Sequence, residues 1–139
     1  MGKDVIIACD FKNKEELFKF LEPFKGLNPF LKIGMEIFYK EGPQLVKDLK
    51  TMGCKIFLDL KLHDIPNTVE KAMRNLSELG VEIVNCHAAG GIEMMRAARR
   101  GLDYTEAGKK SELIAVTQLT SISQETLEKE LLINHPLND

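Results

Sequence analysis

Short apolar runs rich in β-branched residues recur along the chain at intervals of roughly 25 to 30 residues. They lie at residues 5–9, 30–33, 55–60, 81–86 and 113–117, and each has the length and composition of a buried strand. The stretches between them carry apolar residues at helical spacing. This alternation predicts parallel strands joined by helices, because a parallel pair of strands needs a crossover connection. The chain is therefore assigned to the α/β class.

The predicted helices cover residues 14–24, 41–52, 68–79, 92–101 and 124–133. The first has an N-cap signal, since Asn13 precedes it and Glu16 follows three positions later. Gly53 and Gly80 follow the second and third helices, where a left-handed residue commonly ends a helix. We find no low-complexity tract or linker, so residues 1–139 are predicted to form a single domain.

Two architectures accommodate alternating strands and helices: an open, doubly wound sheet, and part of a (β/α)8 barrel of the TIM type. Polar residues favour the barrel, because they fall where predicted strands end and barrel enzymes have their active sites at the carboxyl ends of strands. These residues are Asp10, Lys32, the 59–64 cluster, His87, and Thr117 with Thr120. With about five strands visible, the sequence predicts an incomplete barrel.

Composition excludes several classes of partner. The 139 residues include 19 Lys and Arg against 21 Asp and Glu, a formal charge of -2, and no basic stripe that would attract nucleic acid. No apolar run approaches the roughly 20 residues of a membrane span, and the amino terminus does not resemble a signal peptide. The three cysteines, Cys9, Cys54 and Cys86, fit neither a disulfide framework nor a CxxC metal site, so a reducing cytoplasmic location is expected.

Charged residues interrupt the third apolar run. Side chains alternate along a strand, so Asp59 and Lys61 are predicted to share the face that would be the barrel interior. Burying ions there is costly unless partners compensate, and Lys32 and Asp10 from the two preceding strands are candidates for those partners. A purely structural ion-pair network is the alternative, but perturbed charges concentrate at functional sites.

An ammonium held between carboxylates stays protonated, so it can stabilise a developing carbanion and deliver a proton to it. Fixed carboxylates beside it would also oppose a substrate anion whose charge disappears during reaction. Decarboxylation suits this arrangement. Asp64 is expected in a loop, because Pro66 disfavours helical geometry at the residue before it; a helix-capping or turn role is the alternative for Asp64.

The segment "DLKLHDIPNTV" contains Asp59, Lys61 and Asp64 in a D-x-K-x-x-D pattern and closely resembles the signature of the orotidine 5'-monophosphate decarboxylase family. Four further segments resemble family strands in the family's order: "IIACDF", "LKIGMEIFY", "VNCHAAGG" and "IAVTQLTS". The resemblance implies conversion of orotidine 5'-monophosphate to uridine 5'-monophosphate and carbon dioxide in pyrimidine biosynthesis. It also implies that the reaction needs no metal or organic cofactor and that the protein is a homodimer.

The resemblance also implies roles for individual residues. Lys61 resembles the proton donor at pyrimidine C6, and Asp59 the carboxylate near the departing group. Lys32 resembles a member of the same network that reaches the ribose, and Asp10 the residue that binds ribose hydroxyls.

A second group of residues resembles substrate-contacting positions outside that network. Asp64 and Thr68 resemble residues that cross the dimer interface to complete the neighbouring site, Ile65 an apolar contact, and Thr120 the hydroxyl near the pyrimidine. His87 matches a family position, and a hydrogen-bonded structural role is expected for it.

The family pattern continues beyond what this chain contains, so a longer parent chain is expected. By resemblance, the remainder would carry the last three strands, a mobile loop and a phosphate-binding arginine. Two other functions remain open at this point. One is a magnesium-dependent sugar-phosphate decarboxylase or aldolase, which shares D-x-K-x-x-D; the other is an inactive dimerising or folding module.

Overall fold

A computed structural model describes residues 5–137 of the chain. Its strands are β1 (Ile6–Ala8), β2 (Phe30–Gly34), β3 (Lys55–Leu62), β4 (Ile83–His87) and β5 (Glu112–Val116). Its α-helices are α1 (Lys14–Leu21), α2 (Met35–Glu41), α3 (Pro43–Thr51), α4 (Pro66–Ser77), α5 (Gly91–Leu102), α6 (Glu106–Lys109) and α7 (Gln124–Lys129). Short 3-10 turns occupy Glu22–Phe24 and Ala88–Gly90. None of the helices in this range is long and apolar enough to span a membrane.

The five strands form one parallel sheet in the order β1-β2-β3-β4-β5. Each strand therefore pairs with the next strand along the chain. A doubly wound sheet is different, because its strand order reverses at a switch point. The sequential order confirms the predicted α/β fold of the (β/α)8 type, with five strands in the described range.

The two faces of the sheet differ in burial. On the outer face, alternate side chains of the central strands are almost completely buried and belong to one hydrophobic cluster with residues of the helices; examples are Leu31, Ile33, Ile56, Leu58 and Val84. On the inner face, several of the intervening side chains are only half-buried, as at Lys32, Phe57 and Asp59. The period of two in each strand therefore separates an apolar layer from a partly open polar layer.

The helix prediction was wrong between β2 and β3, where the structure has two helices and the sequence predicted one at residues 41–52. Gly42 has a positive φ of 73°, and this residue ends α2 and precedes Pro43 at the start of α3. A Gly-Pro pair thus marks a helix boundary inside the predicted range, because Gly adopts the left-handed conformation and Pro suits the first helical turn. The short helix α6 was also missed, and α7 ends at Lys129 rather than at residue 133.

Strand β3 is longer than predicted and contains an irregularity. It runs to Leu62, and its regular pairing with β4 is interrupted between Leu58 and Leu62. Lys61 has a φ of 51° at this point, which is unusual for a residue other than glycine. Beyond the strand, Ile65 is extended (φ −59°, ψ 150°) and α4 begins at Pro66, two residues before the predicted start. The bulge places the lysine at the carboxyl end of β3.

Helices α4 and α5 approach each other closely over the outer layer. Gly101 of α5 lies against the backbone of Glu70 and the side chain of Met73, and a Cβ at this position would overlap both. The contact explains why the smallest residue stands inside a helix, where it is otherwise unfavourable. The two helices are thus in direct contact at Gly101.

Candidate active site

Four charged side chains meet at the carboxyl ends of the first three strands. The Nζ atom of Lys61 lies 2.7 Å from Oδ1 of Asp59, and Nζ of Lys32 lies 3.5 Å from the other carboxylate oxygen of Asp59. Lys32 also lies 3.6 Å from Oδ1 of Asp10. The structure therefore brings together, in one network of alternating charge, Asp59 and Lys61 with the two residues, Lys32 and Asp10, that the sequence offered as their partners.

Asp59 is the most buried member of this network. Its side chain is 12% exposed, compared with 25% for Lys32 and Lys61 and 71% for Asp10. Burial is the strongest single influence on the Asp59 carboxyl and raises its pKa. Hydrogen bonds from Lys61 and Asn85, together with the charges of Lys61 and Lys32, outweigh burial and leave the pKa below its ordinary value. Asp59 is therefore an anion at neutral pH despite its partial burial.

Asn85 of β4 belongs to the same site and was not predicted from the sequence. Its Nδ2 donates to Oδ1 of Asp59 at 2.6 Å, and its Oδ1 accepts from the backbone N–H of Lys61 at 2.7 Å. Charges at strand ends do not lead to Asn85, because this residue is neutral and lies inside the strand. A signal was present, because Asn85 is a polar residue on a buried strand whose alternation places it on the inner face.

Two cavities adjoin the network. One, of about 210 Å³, is lined by Asp10, Lys32, Asp59 and Lys61. The other, of about 420 Å³, is lined by Lys61 together with Tyr39, His63, Asp64, Thr68, His87 and Leu119. Lys61 lines both cavities, so the two cavities meet at this residue.

The remaining predicted site residues lie outside the charge network. Asp64 is exposed and its Oδ1 accepts from the N–H of Ile65 at 2.7 Å, while Ile65 itself is 65% exposed. Thr68, in the first turn of α4, lines the larger cavity with Asp64. Thr120 is exposed in the turn after β5, and its neighbour Leu119, rather than Thr120, lines the larger cavity.

His87 lies at the carboxyl end of β4, beside His63. The two rings are 5.4 Å apart between centroids. Burial lowers the pKa of His87 first, and the nearby His63 and Lys61 lower it further. The neutral form of His87 is favoured, so this side chain adds little positive charge to the cavity at neutral pH.

The other titratable candidates show no sign of a second reactive centre. Cys9, Cys54 and Cys86 are free and buried thiols, and burial, with the adjacent Asp10 charge, raises the pKa of Cys9 to about 12. A thiol with so high a pKa is a poor nucleophile. Within residues 5–137, no group of three or more His, Cys, Asp or Glu side chains is arranged to hold a metal ion.

The sheet order and the polar groups at the carboxyl ends of its strands define a domain of the (β/α)8 class. Comparison with known families identifies it further: residues 3–137 match the family described as "Orotidine 5'-phosphate decarboxylase / HUMPS family". The chain belongs to this family, and the resemblance of its motifs is thereby confirmed.

Individual relatives are close. The chain is 59% identical over 135 residues to an orotidine 5'-phosphate decarboxylase of Enterococcus faecalis, with 95% of this chain and 57% of the relative covered. It is 56% identical over 136 residues to the enzyme of the same name from Bacillus pumilus, with 96% and 58% covered. The crystal structure of orotidine 5'-phosphate decarboxylase from Lactobacillus acidophilus superposes with a TM-score of 0.91 at 41% identity, covering 97% of this chain and 62% of that one. The chain thus spans less than two thirds of the length of these relatives.

Proposed function

We propose that this chain carries the central part of an active site that decarboxylates orotidine 5'-monophosphate to uridine 5'-monophosphate, a step in pyrimidine biosynthesis. The observation that carries the proposal is the Lys61 ammonium held 2.7 Å from a partly buried Asp59, with Lys32 on the opposite side of the carboxylate. Membership of the family and the names of the relatives support the same substrate.

The proposed chemical step is a proton transfer that accompanies loss of carbon dioxide. The bond between pyrimidine C6 and its carboxyl carbon breaks, the electron pair stays on C6, and carbon dioxide leaves. Lys61 donates a proton from Nζ to C6 and regains one from water. Asp59 forms an ion pair with Lys61 at 2.7 Å, which holds the ammonium in place before the step. It also lies where the substrate carboxylate would lose its charge.

The remaining contacts proposed for the substrate follow from the positions of the side chains. Asp10 and Lys32 line the smaller cavity, which suits them to hydroxyl groups of the ribose. Ile65 would contribute an apolar contact, and Thr120 a hydroxyl near the pyrimidine. Because Ile65 and Thr120 are exposed, their contacts need a closer approach of the substrate or of a second subunit.

We further propose a homodimer in which Asp64 and Thr68 complete the site of the neighbouring subunit. Both residues are exposed, and both line the larger cavity with Lys61. An exposed carboxylate and hydroxyl that line this cavity are available to a second copy packed against the same surface. A mixture of Lys61→Ala and Asp64→Ala subunits tests this arrangement, because one of its hybrid sites would contain neither substitution. Activity in the mixture is expected, and its absence would contradict the shared site.

A magnesium-dependent reaction on a sugar phosphate is the competing function. Two ammonium groups lie within 3.5 Å of the Asp59 carboxylate, and their charges oppose a divalent cation at that position.

We also propose that residues 1–139 act as one domain and that the protein works in a reducing cytoplasmic compartment. The single sheet with one hydrophobic cluster supports the first of these, and the three free thiols support the second.

The decisive experiment follows the loss of orotidine 5'-monophosphate absorbance with purified protein, in the presence and absence of a metal chelator. Lys61→Ala, purified in the same way, measures any contaminating activity from the host. Turnover that survives the chelator and disappears in Lys61→Ala is the expected result. Turnover abolished by the chelator would favour the magnesium-dependent function instead.

A further inference from the structure

Asn85 is one of three buried polar side chains in residues 5–137, and its hydrogen bonds differ from those of the other two. It is 2% exposed. Ser77 and Ser111 each donate to a backbone carbonyl, at Arg74 and Val81 respectively, and so serve the fold locally. Asn85 instead contacts two residues of the charge network, Asp59 and Lys61.

The contact with Lys61 compensates for an irregularity in the pairing of β3 with β4. Between the pairs Leu58↔Val84 and Leu62↔Cys86, three residues of β3 face the single residue Asn85 of β4. The backbone of Lys61 is left-handed there, and its N–H donates to the side chain of Asn85 at 2.7 Å. A side-chain amide thus satisfies a backbone donor at the bulge and holds a conformation that is otherwise unfavourable for lysine.

The contact with Asp59 fixes the position of the carboxylate that Lys61 approaches. Nδ2 of Asn85 and Nζ of Lys61 both donate to Oδ1 of Asp59, at 2.6 and 2.7 Å. The orientation of the amide is determined by its partners, because an ionised carboxylate only accepts and a backbone N–H only donates. Asn85 therefore closes a ring of hydrogen bonds through the backbone and the ammonium of Lys61 and the carboxylate of Asp59.

We propose that Asn85 is a positioning residue, which holds the Lys61 ammonium and the Asp59 carboxylate in register at the β3 bulge. The proposal rests on the function proposed above and deepens it. Asn85 lines neither cavity, so its effect is on the geometry of the proton donor and not on substrate contact. Its removal therefore lowers kcat and leaves KM nearly unchanged.

The test compares Asn85→Ala with the matched variant Ser111→Ala in the full chain. Both substitutions remove a buried polar side chain near β4, but the Ser111 hydroxyl bonds only to the Val81 carbonyl in this structure. For Asn85→Ala we expect kcat to fall about 100-fold, since small displacements of reacting groups have effects of this size. KM should change by less than about threefold. Ser111→Ala should retain the wild-type kcat at temperatures where it is folded.

A second measurement needs no turnover. The titration of the Asp59 carboxyl is followed by carbon-13 NMR, with its signal assigned by its absence in Asp59→Asn. A hydrogen bond from Asn85 is one of the influences that lower the pKa of Asp59, so Asn85→Ala should raise the midpoint of this titration. Ser111→Ala should leave the midpoint unchanged.

If Asn85→Ala does not fold, the variant Asn85→Asp tests the positioning role of Asn85. It keeps an acceptor for the N–H of Lys61 and places a second carboxyl against Asp59, so one of the two should retain its proton well above the usual range. Wild-type kcat in a folded Asn85→Ala, or an unchanged Asp59 titration, would overturn the proposal, as would the failure of both variants to fold. If the wild type does not act on orotidine 5'-monophosphate while the titration shifts as expected, the proposed function fails and the positioning of Asp59 stands.

Discussion

The two faces of the sheet are built from neighbouring residues of the same strands and meet different demands. In β3, Leu58 is 1% exposed and packs beneath the helices, whereas the next residue, Asp59, turns to the inner face and binds two lysines and an asparagine. The outer face is regular and apolar, and the inner face has a bulge and buried charge. The difference teaches that stability and chemistry are separated here by the alternation of one strand and not by distance along the chain.

The largest expected effect is on the inner face. Lys61→Ala should lower turnover by about a thousandfold or more, because it removes the proposed proton donor. Its effect on the free energy of unfolding should be small, since the Lys61 side chain is partly exposed. Steady-state kinetics and chemical denaturation of the same preparation measure the two quantities. Lys129→Ala, at an exposed lysine of α7, is the matched control and should change neither quantity appreciably.

The outer face should respond in the opposite way. Leu58→Ala removes a completely packed side chain and should lower the free energy of unfolding by about 2 to 5 kcal/mol. The folded fraction should keep its kcat. Ile114 of β5 pairs with Asn85, so it lies on the inner face, and it is 41% exposed; Ile114→Ala should cost clearly less. Equal losses at Leu58 and Ile114 in urea denaturation would abolish the distinction between the two faces.

A substitution in the helix layer over the outer face should change the free energy of unfolding by a smaller amount, and the sign of the change is informative. Gly101→Ala would normally stabilise a helix by up to about 1 kcal/mol. Here the added methyl group meets the backbone of Glu70 and the side chain of Met73, so we expect a net destabilisation of about 1 to 3 kcal/mol. Thermal unfolding measures the change, and a raised Tm would mean that α4 and α5 do not approach as closely as described.

The smallest expected effect is the pH dependence of stability that arises from Asp59. The folded-state pKa of Asp59 is lowered, so its ionisation stabilises the fold fully above the unfolded value of about 3.9. That contribution is lost as the pH falls below this value and through the folded pKa. Asp59→Asn should therefore show a shallower loss of stability below about pH 4 than the wild type. Parallel curves from urea denaturation at several pH values would refute the assignment.

The sequence predicted the fold well because the relevant signals are local. Strand positions followed from β-branched runs, and the barrel was favoured over a doubly wound sheet by the polar residues that fall where predicted strands end. Helix boundaries were less accurate where two signals compete: the range 41–52 has helical spacing throughout, but Gly42 and Pro43 divide it. The helical spacing of apolar residues does not reveal a single residue in the left-handed conformation.

The site was predicted in part, for a physical reason. Asp59, Lys61, Lys32 and Asp10 are charged and lie at strand ends, so alternation and topology were enough to bring them together. Asn85 escaped notice because its role depends on an irregular register between β3 and β4. A bulge is a property of two paired strands, and the amino-acid pattern of either strand alone does not reveal it.

The sheet also has two edges in the described range, and they have a kinetic consequence. Strand β1 pairs there only with β2, and β5 only with β4, so each leaves a row of backbone donors and acceptors on its other side. Folding of one molecule is first order in protein, whereas pairing between the edges of two molecules is second order. When this chain is refolded by itself, dilution should raise the recovered fraction. The rate at which molecules are lost to association should grow with the square of the protein concentration.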